Sequence, residues 1–138
     1  MESIGKNIGI LCRRLNLYLN HSLEKTDVTP TELMFLGSLC TSEGRTQEEI
    51  SREFAIDKAA VARTVSALES KGLIIRKSDE NDKRARRLYL TDKAVKYNEL
   101  LSNMQNQWEM QAFKGVEEKD LEVFSKVLGV LVDNIRIM

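Results

Sequence analysis

One arginine set among small residues is the first chemically distinctive feature of this 138-residue chain. From Asp57 to Lys71 the apolar residues Val61, Val65 and Leu68 recur at steps of four and three, the spacing of a helix with one buried face. Advancing about 100° per residue from Val61 places Ala59, Arg63, Ser66 and Ser70 on the opposite arc. A helix built only to face water would carry Glu and Lys there. Small side chains around one long guanidinium instead let a helix backbone enter the major groove of a duplex. Lys58, Ala59 and Ala60 would then sit at its amino end, and Arg63 would reach a guanine edge. The plainer account is an ordinary surface arginine on a helix whose alanines are simply good helix formers.

Charge bears on the choice. The chain is neutral overall, with 21 basic and 21 acidic residues, whereas nucleic-acid-binding domains usually carry a basic excess. Between Lys58 and Arg87, however, nine basic residues (Lys58, Arg63, Lys71, Arg76, Lys77, Lys83, Arg84, Arg86 and Arg87) stand against Glu69, Asp79, Glu80 and Asp82. That segment nets +5 and leaves −5 for the remainder. Positive potential concentrated on one segment suits a polyanion partner met by one face; charge alone leaves open a solvated hairpin with chance clustering.

Catalytic arrangements are scarce. The single histidine, His21, lies between Asn20 and Ser22 with no acid or cysteine at ligand spacing, and the sequence has no glycine-rich phosphate loop. The paired acids Glu48, Glu49 and Glu117, Glu118 sit where helix starts favour negative charge. Cys12 and Cys40 fall on separate expected helices without a CxxC pattern, so neither a disulfide framework nor a metal site is expected. No apolar run approaches the roughly 18 residues that cross a bilayer, and Arg13, Arg14 and Asn16 interrupt the stretch a signal peptide would need. A reduced, cytoplasmic protein that is not an enzyme and needs no cofactor is the expectation.

The elements that must position these residues are mostly helical. Charged residues are 30%, aromatics 6%, and proline occurs once. Ile4, Ile8, Leu11, Leu15 and Tyr18, widened by Leu19 and Leu23, predict a long amphipathic helix over 4–23. Thr29, Pro30 and Glu32 open a second through Leu33, Leu36 and Leu39. Thr46 and Glu49 predict a second capping box before Ile50 and Phe54, Asp57 caps the next helix about three residues later, and Gly72 ends it. At that helix start Thr46 and Gln47 would offer N–H groups, a hydroxyl and an amide to a phosphate, or Thr46 is a cap alone. Residues 73–77 and 87–90 are β-prone runs around a basic tip. Thr91 and Asp92 then cap a long helix with a stripe of Ala94, Tyr97, Leu101, Met104 and Trp108. After Gly115, a last helix repeats Leu121, Phe124, Leu128, Leu131 and Ile135 near heptad spacing.

Helix, helix, capped helix, tight turn, helix, hairpin and two helices describe a mainly α fold with a small β-hairpin wing, a winged helix-turn-helix. In this order the sequence resembles the MarR (multiple antibiotic resistance regulator) family over essentially its whole length. The most specific match is the wing, Asp82-Lys83-Arg84-Ala85-Arg86-Arg87-Leu88-Tyr89-Leu90-Thr91, and the runs 57–63 and 68–74 resemble the family's recognition helix and its L-E-x-x-G-L-I approach to the wing. The resemblance implies a homodimer on double-stranded DNA, with Arg84 at the minor groove, Asp82 holding the loop shape, and Arg86, Lys83 and Lys77 on phosphates. It also implies a repressor of an inverted-repeat operator released by a small aromatic acid. Ala59 and Ala60 stand where many relatives have Ser or Thr, and Ala94 where glycine is common after the L-T pair, so base preference would rest more on Arg63 and on DNA shape.

The chain is expected to form one unit over 1–138. Dimerising helices would lie in 1–28 and 112–138, the winged core in 30–91 and a connecting helix in 92–111. Dimerisation has its own argument: stripes through Ile4, Ile8, Leu11 and Leu15, and through Leu121, Phe124, Leu128, Leu131 and Ile135, exceed what so small a fold buries internally. Two rivals remain at the level of sequence. A winged helix also serves as a protein-binding module. Cys12, among Leu11, Arg13 and Arg14, has the cationic neighbours that favour a redox-reactive thiolate, while Cys40 reads as a small core residue.

Overall fold

The computed structural model describes residues 2–82 and 84–136; the expected wing residue Lys83 lies outside the described residues. In chain order the elements are α1 (Ile4–Leu23), α2 (Pro30–Thr41), β1 (Arg45–Thr46), α3 (Gln47–Phe54), α4 (Lys58–Ser70), β2 (Ile74–Ser78), β3 (Arg86–Leu90), α5 (Asp92–Ala112) and α6 (Glu118–Arg136). The fold is mainly α with one small antiparallel sheet of order β1-β3-β2.

Local chemistry sets the boundaries. Thr29 Oγ1 accepts from Glu32 N–H at 3.1 Å and Glu32 Oε1 from Thr29 N–H at 3.3 Å, a complete capping box with Pro30 at the first turn of α2. Asp57 Oδ1 accepts from Ala60 N–H at 2.8 Å to open α4. At the other end Gly72, with φ 73°, donates to Glu69 O, and Leu73 N–H to Leu68 O, both at 3.0 Å. That pair of bonds closes a helix through a left-handed residue, which glycine adopts without a Cβ clash.

α2 lies at the centre, burying Leu33, Phe35, Leu36 and Leu39 against Ile50 of α3, Val61, Val65 and Leu68 of α4, and Leu73, Ile74 and Leu88 at the sheet. α5 crosses it closely: a Cβ on Gly37 would stand 2.8 Å from Leu101 Cδ2. Gly37→Val is therefore expected to lower stability by about 1–3 kcal/mol through overpacking. Gly37→Ala should cost far less, because Leu101's tip can turn aside and alanine gains about 1 kcal/mol of helix propensity. Denaturant midpoints of the two variants test this, and equal midpoints would contradict it.

A second fixture ties α4 to α2. Lys71 Nζ lies 2.7 and 2.8 Å from the two carboxylate oxygens of Glu32, whose side chain is 5% exposed, and also donates to Asp27 O. Tyr97 Oη donates to Asp27 Oδ1 at 3.3 Å, and burial followed by the nearby Asp27 carboxylate raises the phenol's pKa.

The terminal helices behave differently along their lengths. α1 is anchored at its end, where Leu23 is buried and Tyr18 Oη donates to Met104 O at 3.0 Å, while Ile4, Ile8 and Leu11 are exposed and Leu15 is half-buried. α6 buries no described residue; Phe124, Leu128, Leu131 and Ile135 are exposed and Leu121 is half-buried. Its ties to the rest include an edge contact of Phe124 with Phe113 and a hydrogen bond from Arg136 Nη2 to Glu53 O at 2.9 Å.

Several expectations need correction. At α3 only half of the capping box forms: Thr46 Oγ1 accepts from Glu49 N–H at 3.2 Å, while Glu49's carboxylate turns to Arg45 and Arg87. Thr91 precedes α5 but makes no side-chain cap; its hydroxyl donates to Gly72 O at 2.6 Å, fastening the end of β3 to the turn before β2. The long strands run over 74–78 and 86–90 rather than 73–77 and 87–90. Cys40 is exposed, with Sγ 2.6 Å from Asn98 Oδ1, since the inward face of α2 is filled by Leu36 and Leu39; partial burial and then Glu43 raise its pKa.

Candidate nucleic-acid interface

α3 and α4 meet across Ala55, Ile56 and Asp57, with Ala55 left-handed at φ 52° and Ile56 N–H bonded to Ser51 O at 3.2 Å. With Val61, Val65 and Leu68 fully buried, the opposite face of α4 is presented to solvent: Lys58, Ala59, Arg63 and Ser66 are exposed and Ala60 is half-buried. The arc derived from helical periodicity is therefore the exposed one.

The wing is not a free hairpin. β3 pairs with β2 along its length, and on its other edge with β1, in a register that sets Arg45 opposite Leu88 and Thr46 opposite Arg87. Thr46 is thus at once the end of β1 and the cap of α3. The start of α3 and the wing together line an open cavity of about 410 Å³, with Thr46, Gln47, Arg76, Asp82, Arg84 and Arg86 among its walls. In the tip, Asp82 Oδ1 accepts from Arg84 N–H at 3.0 Å and Asp82 O from Ala85 N–H at 3.1 Å, so Asp82 shapes the turn that carries Arg84.

The basic residues divide into two sets. Arg63, Arg84 and Arg86 are exposed and enter no ion pair among the described residues. Lys58 reaches Glu48 at 3.6 Å with both side chains open to water, a contact worth little. Lys77 lies with Nζ 5.0 Å from the centroid of Tyr89 rather than along the cavity. Lys71 is neutralised by Glu32, and Arg87 by Asp79, whose carboxyl is held below its usual range first by Asn81 N–H and then by the guanidinium. The +5 count over 58–87 thus overstates the free charge, because Lys71 is paired with Glu32, an acid outside that segment, while Arg87 and Asp79 both lie within it and already cancel in the count.

Arg76 was not singled out by sequence. It stands between wing and α4, with Nε 3.3 Å from Glu69 Oε2 and Nη2 donating to Ser66 Oγ at 3.4 Å. Alternation along β2, where Ile74 is buried and Ile75 exposed, was the available signal that Arg76 points back toward α4.

Comparison with known proteins agrees with this architecture. A sequence model of the MarR family matches residues 26–85, from the approach to α2 to the wing tip. The HTH-type transcriptional regulator YybA of Bacillus subtilis (strain 168) is 27% identical over 135 residues, covering 98% of this chain and 90% of the relative. A MarR transcriptional regulator from Methanosarcina mazei Go1 superposes with a TM-score of 0.85 at 28% identity, covering 98% of each chain. A Listeria monocytogenes protein described as a MarR family transcriptional regulator, complexed with 26mer DNA, superposes with a TM-score of 0.92 at 26% identity, covering 99% of this chain and 91% of that one. In order of elements, wing and sequence, the chain is similar to the MarR family of winged helix-turn-helix transcriptional regulators.

Proposed function

We propose that the chain binds double-stranded DNA sequence-specifically as a homodimer, on an inverted-repeat operator, and represses until a small ligand releases it. The observation that carries the DNA reading is the set of exposed guanidiniums that enter no ion pair among the described residues, Arg63 on α4 and Arg84 and Arg86 on the wing, flanking the start of α3. Arg63 reads a base edge from the major groove, helped by the small residues Ala59, Ala60 and Ser66. Arg84 enters the minor groove, where negative potential is concentrated and a weakly hydrated guanidinium is favoured. Thr46, Gln47, Lys58, Lys77, Lys83 and Arg86 hold phosphates and so fix register without reading sequence, and Asp82 fixes the tip. The DNA-bound Listeria relative supports this reading by analogy.

The exposed apolar residues of α1 and α6 support the dimer, because a second copy covers Ile4, Ile8, Leu11, Phe124, Leu128, Leu131 and Ile135. A twofold axis then sets two copies of α4 about 34–36 Å apart, one turn of duplex. Repression and release by a small aromatic acid rest on the family resemblance alone. Anisotropy titrations with a genomic fragment test the DNA reading: between about 50 and 200 mM salt, affinity should fall by about a thousandfold or more through counterion release. Absence of retention at the lower salt, or a monomer in sedimentation, would overturn the proposal.

A further inference from the structure

Arg87 lies in the basic segment, yet its guanidinium is spent on the protein. Nε and Nη2 each stand 3.0 Å from Asp79 Oδ2, and Nη1 donates to Gly44 O at 2.8 Å, with Glu49 Oε1 at 4.0 Å. Three separate pieces of chain converge on one side chain: the wing loop at Asp79, the residue leading into β1 at Gly44, and the first turn of α3 at Glu49. The loop it holds is closed at its mouth, since Asp79 N–H donates to Ala85 O at 2.9 Å and Asp79 Oδ1 accepts from Asn81 N–H at 3.0 Å.

We propose that Arg87 is a positioning residue that brackets the wing loop to the approach of α3, so setting the spacing between the two elements that grip DNA. The proposal rests on the DNA reading above. It follows from geometry: Thr46 and Gln47 on one side and Arg84 and Arg86 on the other line a single cavity, and Arg87, opposite Thr46 in the sheet, donates to Asp79 at the base of the wing loop and to Gly44 O just before β1, the segments that lead into those two walls. A planar fork can hold Asp79 and the Gly44 carbonyl at once, whereas an ammonium at the same site holds one of them. Without the fork, Arg84 is carried by a loop free to shift, and its contact is lost even though its own side chain is intact.

This separates three roles that a basic wing residue can have. A phosphate contact predicts that Arg87→Lys is tolerated and that Asp79→Asn, which removes a negative charge near a polyanion, tightens binding. A role in stability alone predicts lower melting temperatures and unchanged affinity of the folded protein. The bracket predicts that Arg87→Lys and Asp79→Asn both weaken binding about tenfold, and that adding Arg84→Ala to either costs little more than Arg84→Ala alone, because coupled residues do not add.

The test is anisotropy with a duplex recovered by retention on wild-type protein, run on Arg87→Lys, Asp79→Asn, Arg84→Ala and the two doubles. Amide exchange on the free protein forms an arm independent of DNA, in which the Asp79 and Ala85 amides of the Arg87→Lys and Asp79→Asn variants should exchange about tenfold faster. Asp79→Asn is isosteric and keeps the proposal testable if Arg87→Lys fails to fold. If wild type holds no duplex, the DNA reading falls and this proposal with it. If wild type binds but Asp79→Asn binds as well or better, or the double variants are additive, or exchange at Asp79 and Ala85 is unchanged, the proposal alone is overturned.

Discussion

Alanine at Arg63 or at Arg84 should remove most operator binding while leaving the protein folded. A bidentate arginine contact to a base edge is worth about 1–3 kcal/mol, and the proposed twofold dimer would lose it at both half-sites, so each substitution should cost roughly tenfold to a hundredfold per half-site. The two losses should differ in kind. Arg63→Ala relaxes preference at one base position, whereas Arg84→Ala weakens binding according to minor-groove width. Neither side chain enters an ion pair among the described residues, so stability should change by no more than about 0.5 kcal/mol, as for most surface substitutions. Competition binding with operator variants, read beside melting curves, checks both; retained affinity in either alanine variant would remove that residue from the interface.

The second large effect falls on stability. Lys71→Ala leaves Glu32 buried without its cation, at an expected loss of about 3–5 kcal/mol. Glu32 cannot swing out to water cheaply, because the same carboxylate accepts from Thr29 N–H in the capping box of α2. Glu32→Gln with Lys71→Met should recover much of the loss, since glutamine keeps the capping bond and methionine refills the space without charge. Denaturant unfolding of Lys71→Ala and of the double variant tests this. A Lys71→Ala protein as stable as wild type would mean the pair contributes little, and a changed salt slope in DNA binding would mean Lys71 touches phosphate after all.

Much of the framework could be read from sequence because it is specified locally. Thr29 and Asp57 cap the helices that their side chains announce, and Gly72 closes α4 through the left-handed turn that its type permits. The exposed arc of α4 followed from a single periodicity. What escaped is what depends on partners distant in the chain. β1 is a two-residue strand, too short for any alternation to reveal, and exists because β3 offers it an edge. Glu32 and Lys71 are 39 positions apart, so the charge count treated as free a cation the fold consumes. Arg87 was counted among wing charges for the same reason, and Thr91 was assigned a cap because its competing acceptor, Gly72 O, lies 19 residues back. Cys40 sits one step past the inward face of α2, a rotation that composition cannot resolve.

The double stitching of β3 limits what the tip can do over time. A flap hinged along one edge would swivel, so any lengthening would alter its aim as well as its span. Here both edges of the central strand are sewn down, one to β2 and one to the residues that open α3. Insertions between Asp79 and Ala85, where exposed loop tips tolerate them, would extend how far the finger reaches while its bearing stays that of the helices behind it.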